Sequence, residues 1–323
     1  MIRISLILSY ILILIACERP EKAIAPFDRG SVAAAVVSMS SNYKFQVFYN
    51  LDSGKVIKSV NRMDWDLAFD CSNQHILLTN NGRGIYVAKT NKTDLTQIND
   101  TFGLKFYWGQ PSLNLDSLAF GTWWNEPTKV FVINMGYDLT GTPLGFVKCI
   151  PELLSDKSLK FTWSALSSNS PKSMTVPKDN RFIFNYISLL NEKIADVEPL
   201  KENWDLVFTQ YVKLLFAPLY PATRNYEVVG ILQNTSRIET AFDFKTSFKE
   251  INSSSIPSVF YKYRDAIGFD WKWFDIGANS YTVNPAMNYI LKTKDGFYFK
   301  LHFLDFYDDL GVKGSPKFEF QKI

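Results

Sequence analysis

Apolar and polar residues alternate along this chain mostly with the period of a β-strand. In Lys44-Phe45-Gln46-Val47-Phe48-Tyr49 the two kinds roughly alternate, Asp52-Ser53-Gly54 supplies turn chemistry, and Val56-Ile57 restarts a strand, which predicts a hairpin. A period of two in Trp65-Asp66-Leu67-Ala68-Phe69 places Trp65, Leu67 and Phe69 on one face and Asp66 with Ala68 on the other. The runs 75–79 and 85–88, separated by Asn80-Asn81-Gly82-Arg83-Gly84, predict a second hairpin. Residues 91 to 128 are less regular and read as a surface loop region carrying the pairs Tyr107-Trp108 and Trp123-Trp124. Short strands resume at 130–134, 145–150 and 159–163. Near the C-terminus, Asp295-Gly296 between two apolar runs is the signature of a type I′ hairpin. In its second arm Phe297, Phe299, Leu301 and Phe303 share one face, and Tyr298, Lys300 and His302 the other.

The pattern repeats. Trp65-Asp66-Leu67-Ala68-Phe69 returns as Trp204-Asp205-Leu206-Val207-Phe208, Gly145-Phe146-Val147-Lys148 aligns with the run 296–300, and 160–163 aligns with 317–320, in the same order. This predicts an all-β fold of two similar antiparallel β-units arising from an internal duplication, the first over 42–165 and the second over 181–323. The Ser-, Asn- and Pro-rich stretch 166–180 reads as the linker between them. Trp65 and Trp204 are then core aromatics of equivalent strands. Asp66 and Asp205, half-buried beside them, are expected to accept hydrogen bonds from nearby backbone or turn groups.

Composition supports this class and narrows the function. Aromatic residues make up 15% of the chain, a bias that suits pleated, half-buried surfaces. A net charge of +3, with basic and acidic residues interspersed, argues against a nucleic-acid partner. Residues 1–16 have the charged start, apolar run and small final residue of a signal peptide. Leu14-Ile15-Ala16-Cys17 resembles a bacterial lipobox, which makes Cys17 the lipidated first residue of the mature chain, 17–41 its tether, and the membrane its first partner. The remaining cysteines, Cys71 and Cys149, are candidates for a disulfide that the chain-entropy model values at roughly 4 kcal/mol, the alternative being two buried thiols.

No phosphate loop, metal-spaced histidine cluster or nucleophile elbow is present, so neither a catalytic nor a metal site is expected. The candidate chemistry is flat and apolar instead. Trp123-Trp124, and Trp271 with Trp273 in the densest aromatic cluster, are candidate platforms for a sugar ring or a porphyrin; core packing is the competing role.

The lipobox at Cys17, the run 45–69, its partner 203–211 and the stretch 288–301 together resemble the HmuY family of Bacteroidetes envelope lipoproteins. The resemblance implies an all-β protein at the outer membrane, on the cell surface or the periplasmic face, that captures haem for a TonB-dependent receptor. Members that bind haem use paired axial ligands, histidine with histidine or methionine. In this chain the candidates are His75, His302 and Met63, with Met135, Met174 and Met287 more suited to filling core gaps. His302 shares its strand face with Tyr298 and Lys300, a rim position. The alternative function is an interaction or glycan-binding lipoprotein that keeps the fold without haem.

Overall fold

The computed structural model describes residues 30–72, 74–155, 157–216 and 224–323, so Cys17 and its tether to residue 29 lie outside the described residues. In chain order the first strands are β1 (Ala33–Val36), β2 (Phe45–Asn50), β3 (Lys55–Asn61), β4 (Leu67–Asp70), β5 (Leu77–Thr79), β6 (Tyr86–Lys89) and β7 (Phe106–Tyr107). Then come β8 (Phe131–Asn134), β9 (Phe146–Ser155), β10 (Ser158–Ala165), β11 (Lys172–Pro177), β12 (Phe184–Ser188), β13 (Lys193–Ala195) and β14 (Leu206–Leu215). The remainder are β15 (Arg224–Gln233), β16 (Ile238–Asp243), β17 (Lys272–Asp275), β18 (Ser280–Val283), β19 (Asn288–Thr293), β20 (Tyr298–Tyr307) and β21 (Lys313–Lys322). All pairings are antiparallel, and only short 3₁₀ turns interrupt the strands among the described residues.

Four sheets stack in layers with an apolar core between each neighbouring pair. An outer sheet of order β1-β21-β20-β19-β16 faces the sheet β15-β14-β2-β3; next comes β13-β12-β4-β5, and the other outer sheet is β11-β10-β9-β8-β6-β7. Leu206 and Phe208 of β14 point into the first core with Tyr289, Leu301 and Phe318. Val207 points the other way, into the middle core, with Phe48, Ala68 and Tyr186. Leu67 and Phe69 enter the third core with Val87, Phe131 and Phe161. Because the two middle sheets are covered on both faces, Leu67-Ala68-Phe69 and Leu206-Val207-Phe208 are buried throughout, and simple alternation disappears there.

The middle sheets exchange hairpins. Hairpin β2–β3 pairs with β14, with Tyr49 opposite Leu206, and hairpin β12–β13 pairs with β4, with Ile187 opposite Leu67. Each Trp-Asp strand is therefore completed by a hairpin from the other part of the chain, and residues 31–323 form a single compact unit. The stretch read as a linker folds in part as β11, an edge strand on β10.

Three local expectations change. Trp65 and Trp204 both lie in the middle core, opposite the faces of Leu67 and Phe69 or Leu206 and Phe208, because each follows a 3₁₀ turn and precedes the first strand residue by two positions. The 293–297 turn is not type I′. Gly296 N–H bonds to Thr293 O at 3.0 Å and Gly296 alone takes a left-handed φ of 83°, the three-residue hairpin with a glycine bulge. Lys300 is buried, donating from Nζ to Phe248 O at 2.8 Å and Ile251 O at 3.0 Å, and Lys148 likewise donates to Ile98 O at 2.7 Å. Each buried ammonium satisfies carbonyls of a loop that covers an outer sheet, which is why a polar residue stands on that face.

Within each middle sheet, the aspartate after the tryptophan ties its strand to the turn of the hairpin paired with it. Asp66 accepts from the backbone N–H groups of Leu189 (2.6 Å) and Leu190 (3.2 Å) and pairs with Arg83. Asp205 accepts from Leu51 N–H at 2.7 Å and from Arg237 Nε at 2.8 Å. Beside them, Asn80 Nδ2 donates to Trp65 O, and Asn234 Nδ2 to Trp204 O. The spacing Asn-x-x-Arg at 80–83 and 234–237 therefore belongs with each Trp-Asp pair.

Candidate functional site

The sequence-derived candidates do not converge. His75 lies between β4 and β5 in a left-handed conformation, with Nδ1 3.0 Å from Lys178 Nζ and its ring 6.0 Å from that of Trp124. His302, on β20 in the first outer sheet, stacks on Phe248 at 3.9 Å and meets Glu319 through Nε2 at 3.1 Å. Met63 sits in the 3₁₀ turn before Trp65. A porphyrin iron with two axial side chains needs them on facing walls of one slot, and His75, His302 and Met63 line none of the cavities described here. The structure does not assemble these three residues into such a facing pair.

Two of the tryptophan platforms are core. Trp123 is buried and donates from Nε1 to His75 O at 2.9 Å, which fixes the His75 turn, while Trp124 is half-buried against it. Trp271 is fully buried and stacks on Phe303 at 4.1 Å; Trp273, two residues on in hairpin β17–β18, is 49% exposed. The period of two does not set these tryptophans side by side as a platform, because the core claims Trp271.

Cys71 and Cys149 are free, buried thiols, so no disulfide joins them. Cys71 follows β4 in one middle sheet and Cys149 is on β9 of the outer sheet beyond it. Burial pushes the Cys71 thiol up to about 12 and raises Cys149 well above its ordinary value, so both resist ionisation.

Two spaces deserve comparison. The first, between the two middle sheets, is lined by Trp65, Tyr186, Tyr211 and Arg264 among others but holds only about 40 Å³. That is room for a few waters, not for a ring-shaped ligand.

The second is an open cleft of about 450 Å³, within the range of small-molecule sites. Its lining includes three aromatic rings: Phe242, at the end of β16, Phe244 just beyond it, and Tyr263 from the connection between β16 and β17. Phe242 and Phe244 stack at 6.1 Å with 16° between planes, and Tyr261, 5.5 Å from Phe242 and 5.4 Å from Tyr263, continues the row. Lys213, Asp265, Asp270, Asn284 and Met287 also line it, with Lys213 paired to Asp265.

Backbone and side-chain bonds hold this aromatic wall in place. Tyr261 exchanges hydrogen bonds with Thr240 of β16 at 2.8 and 3.0 Å, and Gly268 does so with Ile231 of β15, so the connection is stitched to the edges of two sheets. Gln233 Nε2 donates to the carbonyls of Tyr261 (3.1 Å) and Tyr263 (2.9 Å), while its Oε1 accepts from Thr240 Oγ1 at 2.6 Å. A Cβ at Gly230 would collide with the Gly268 carbonyl, so glycine is required at that crossing. Sequence reasoning missed this wall. Its signal was present as two aromatic-charged-aromatic triplets, Phe242-Asp243-Phe244 and Tyr261-Lys262-Tyr263, but nothing local indicated that they would meet.

Among the described residues, no group of three or more metal-ligating side chains is suited to holding an ion. A search of curated proteins gave no match. Among solved structures, the chain is similar to apo PinO from Porphyromonas gingivitis at 11% identity, covering 91% of this chain and 98% of that one with a TM-score of 0.32. It is also similar to the apo HmuY analog TFO of Tannerella forsythia, again at 11% identity, with 91% and 98% covered and a TM-score of 0.29. The model of the HmuY protein family matches residues 42–320, nearly all of the described chain, and the protein therefore belongs to the HmuY family.

Proposed function

We propose that this protein is an envelope-associated lipoprotein that binds, without converting it, a ring-shaped ligand in the cleft formed by Phe242, Phe244, Tyr263 and Met287. The observation that carries this reading is the cleft itself: about 450 Å³, open on one side, with a row of aromatic rings fixed by Gln233 and by the pairing of Tyr261 with Thr240. Exposed rings held in advance cost little conformational entropy when a flat ligand stacks on them. Family membership supports binding over catalysis, with Cys17 as the anchor and an outer-membrane TonB-dependent receptor as the partner that takes the ligand onward.

Haem is the ligand that the family resemblance implies, and the scattered His75, His302 and Met63 argue for stacking here in place of a pair of axial ligands. Titration with haemin tests this against the family expectation. A Soret shift abolished by His75→Ala or His302→Ala would move the site away from the cleft. The expected outcome is that neither substitution alters haemin spectra, whereas Phe244→Ala with Tyr263→Ala reduces binding of the neutral fluorophore Nile red. Co-purification of a receptor from solubilised envelopes, and release of a Cys17→Ala form from the membrane, test the partner and the anchor. Failure of either removes that part of the proposal.

A further inference from the structure

We propose that the space of about 40 Å³ between the two middle sheets is a binding site for one small monovalent anion of halide size, independent of the aromatic cleft. Trp65, just before β4, and Tyr186 of β12 line it from one sheet, Tyr211 of β14 and Leu232 of β15 from the other, and Arg264 arrives from the connection between β16 and β17. Trp65 and Tyr211 belong to the middle core and are only 8% and 2% exposed. Yet Trp65 Nε1 and the Tyr211 hydroxyl are buried with no hydrogen-bond partner among the described residues. Buried polar atoms are nearly always paired, so two such side chains in the wall of one cavity point to an occupant.

The uncommitted groups are mainly donors. Trp65 Nε1 can only donate, and so can Arg264, whose guanidinium lies 5.1 Å from the Phe184 ring and makes no hydrogen bond or ion pair among the described residues. The acceptors are mostly taken: Gln46 Oε1 accepts from Thr209 Oγ1, Asn81 Oδ1 from Val212 N–H, Gln110 Oε1 from Leu214 N–H and Gln210 Oε1 from Arg62 Nη1. Asn80 Oδ1 is the one uncommitted amide oxygen of the lining among the described residues. A water must place two protons of its own, whereas a halide only accepts, which matches this set. Arg264 is also the sole charged side chain in the lining among the described residues, so a single negative charge balances it. The carboxylates that act from outside the lining are committed elsewhere. Glu198, which acts on Arg264, accepts from Ile183 and Phe184 N–H, and Asp265 and Asp270, which act on Tyr211, have partners of their own, Lys213 in the case of Asp265. Gln110, Gln210 and Arg264 are partly exposed, so ions in solution reach the lining.

Bromide and chloride are the probes that test the proposal. Crystals of the wild type grown in sodium bromide should give a bromine anomalous peak between Trp65, Tyr211 and Arg264. In solution, chlorine NMR should show chloride line broadening by the folded protein that added bromide displaces. Arg264→Gln should weaken chloride binding by about tenfold or more, and Arg264→Lys, which keeps the charge, by less. At equal ionic strength the wild type should also unfold at a higher temperature in sodium chloride than in sodium gluconate, whose anion is too large for the cavity. Absence of a bromide peak from this cavity in the wild type overturns the proposal and assigns the two buried donors to ordered water. Equal chloride affinity in the wild type and in folded Arg264→Gln overturns it as well. If Arg264→Gln does not fold, the wild-type bromide peak decides alone.

Discussion

The two Trp-Asp strands solve one structural problem with different electrostatics. At the first, Asp66 and Arg83 are both sealed from solvent. At the second, Asp205 is equally buried, but Arg237 keeps 11% of its side chain exposed and is shared with Asp52 and Glu202, each at 3.6 Å. Burial raises the Asp205 carboxyl above its ordinary value in spite of Arg237. A similar five-residue sequence thus fixes backbone geometry in both places, while the surroundings decide how much depends on the ion pair.

Removing the carboxylates should separate the two strands most clearly. Asp66→Ala leaves Arg83 charged and buried with its partner gone, and should cost about 3–5 kcal/mol in urea unfolding. Asp205→Ala also strands a backbone N–H, that of Leu51, but Arg237 retains Asp52, Glu202 and some water, so about 2 kcal/mol is expected. Equal losses would contradict the comparison.

The next largest effects are in pH dependence, and the two groups concerned act in opposite directions. Glu198, beside β12, accepts N–H bonds from Ile183 (2.7 Å) and Phe184 (3.2 Å), yet burial pushes its carboxyl up to about 7. The folded state therefore holds a proton that the unfolded state releases, and its stabilisation, complete below about pH 4.5, is lost as pH rises towards 7. Lys272, in the first core, donates to Val229 O and lies against Trp271, Tyr281 and Phe306; burial brings its ammonium down to about 7. Here the folded state lacks a proton that the unfolded state keeps, so stability rises from pH 7 towards 10.5. Each slope should approach about 1.4 kcal/mol per pH unit. Glu198→Gln should flatten only the lower limb and Lys272→Met only the upper; a profile that changes on both sides for either variant would refute the assignment.

The smallest effect should come from the exposed aromatic beside the buried one. Trp273→Ala is expected to change stability by less than about 0.5 kcal/mol, because that ring is half in solvent and outside the core. A larger loss by thermal melting would mean that hairpin β17–β18 uses Trp273 to hold its place.

The residues that anchor the sheets were legible because their determinants are local: a turn, a tryptophan and an aspartate recur in order, and the carboxylates do accept backbone N–H groups as expected. The face of Trp65 was not, since the 3₁₀ turn at 62–64 shifts where the strand begins. Exchange of hairpins between β4 and β14 was equally hidden, because strand pairing over such separations leaves no mark on periodicity. The cleft needs Phe244 and Tyr263 of the β16–β17 connection brought to Met287 of the β18–β19 connection, which no local pattern shows.

In the proposed function, the sheets around the two Trp-Asp strands are scaffold and binding belongs to the aromatic cleft. The most direct measurement is a Nile red titration of the wild type and of Phe244→Ala combined with Tyr263→Ala, with urea unfolding of both proteins. The affinity should fall by about tenfold or more, with an unfolding midpoint close to that of the wild type. Unchanged affinity in the double variant would contradict it.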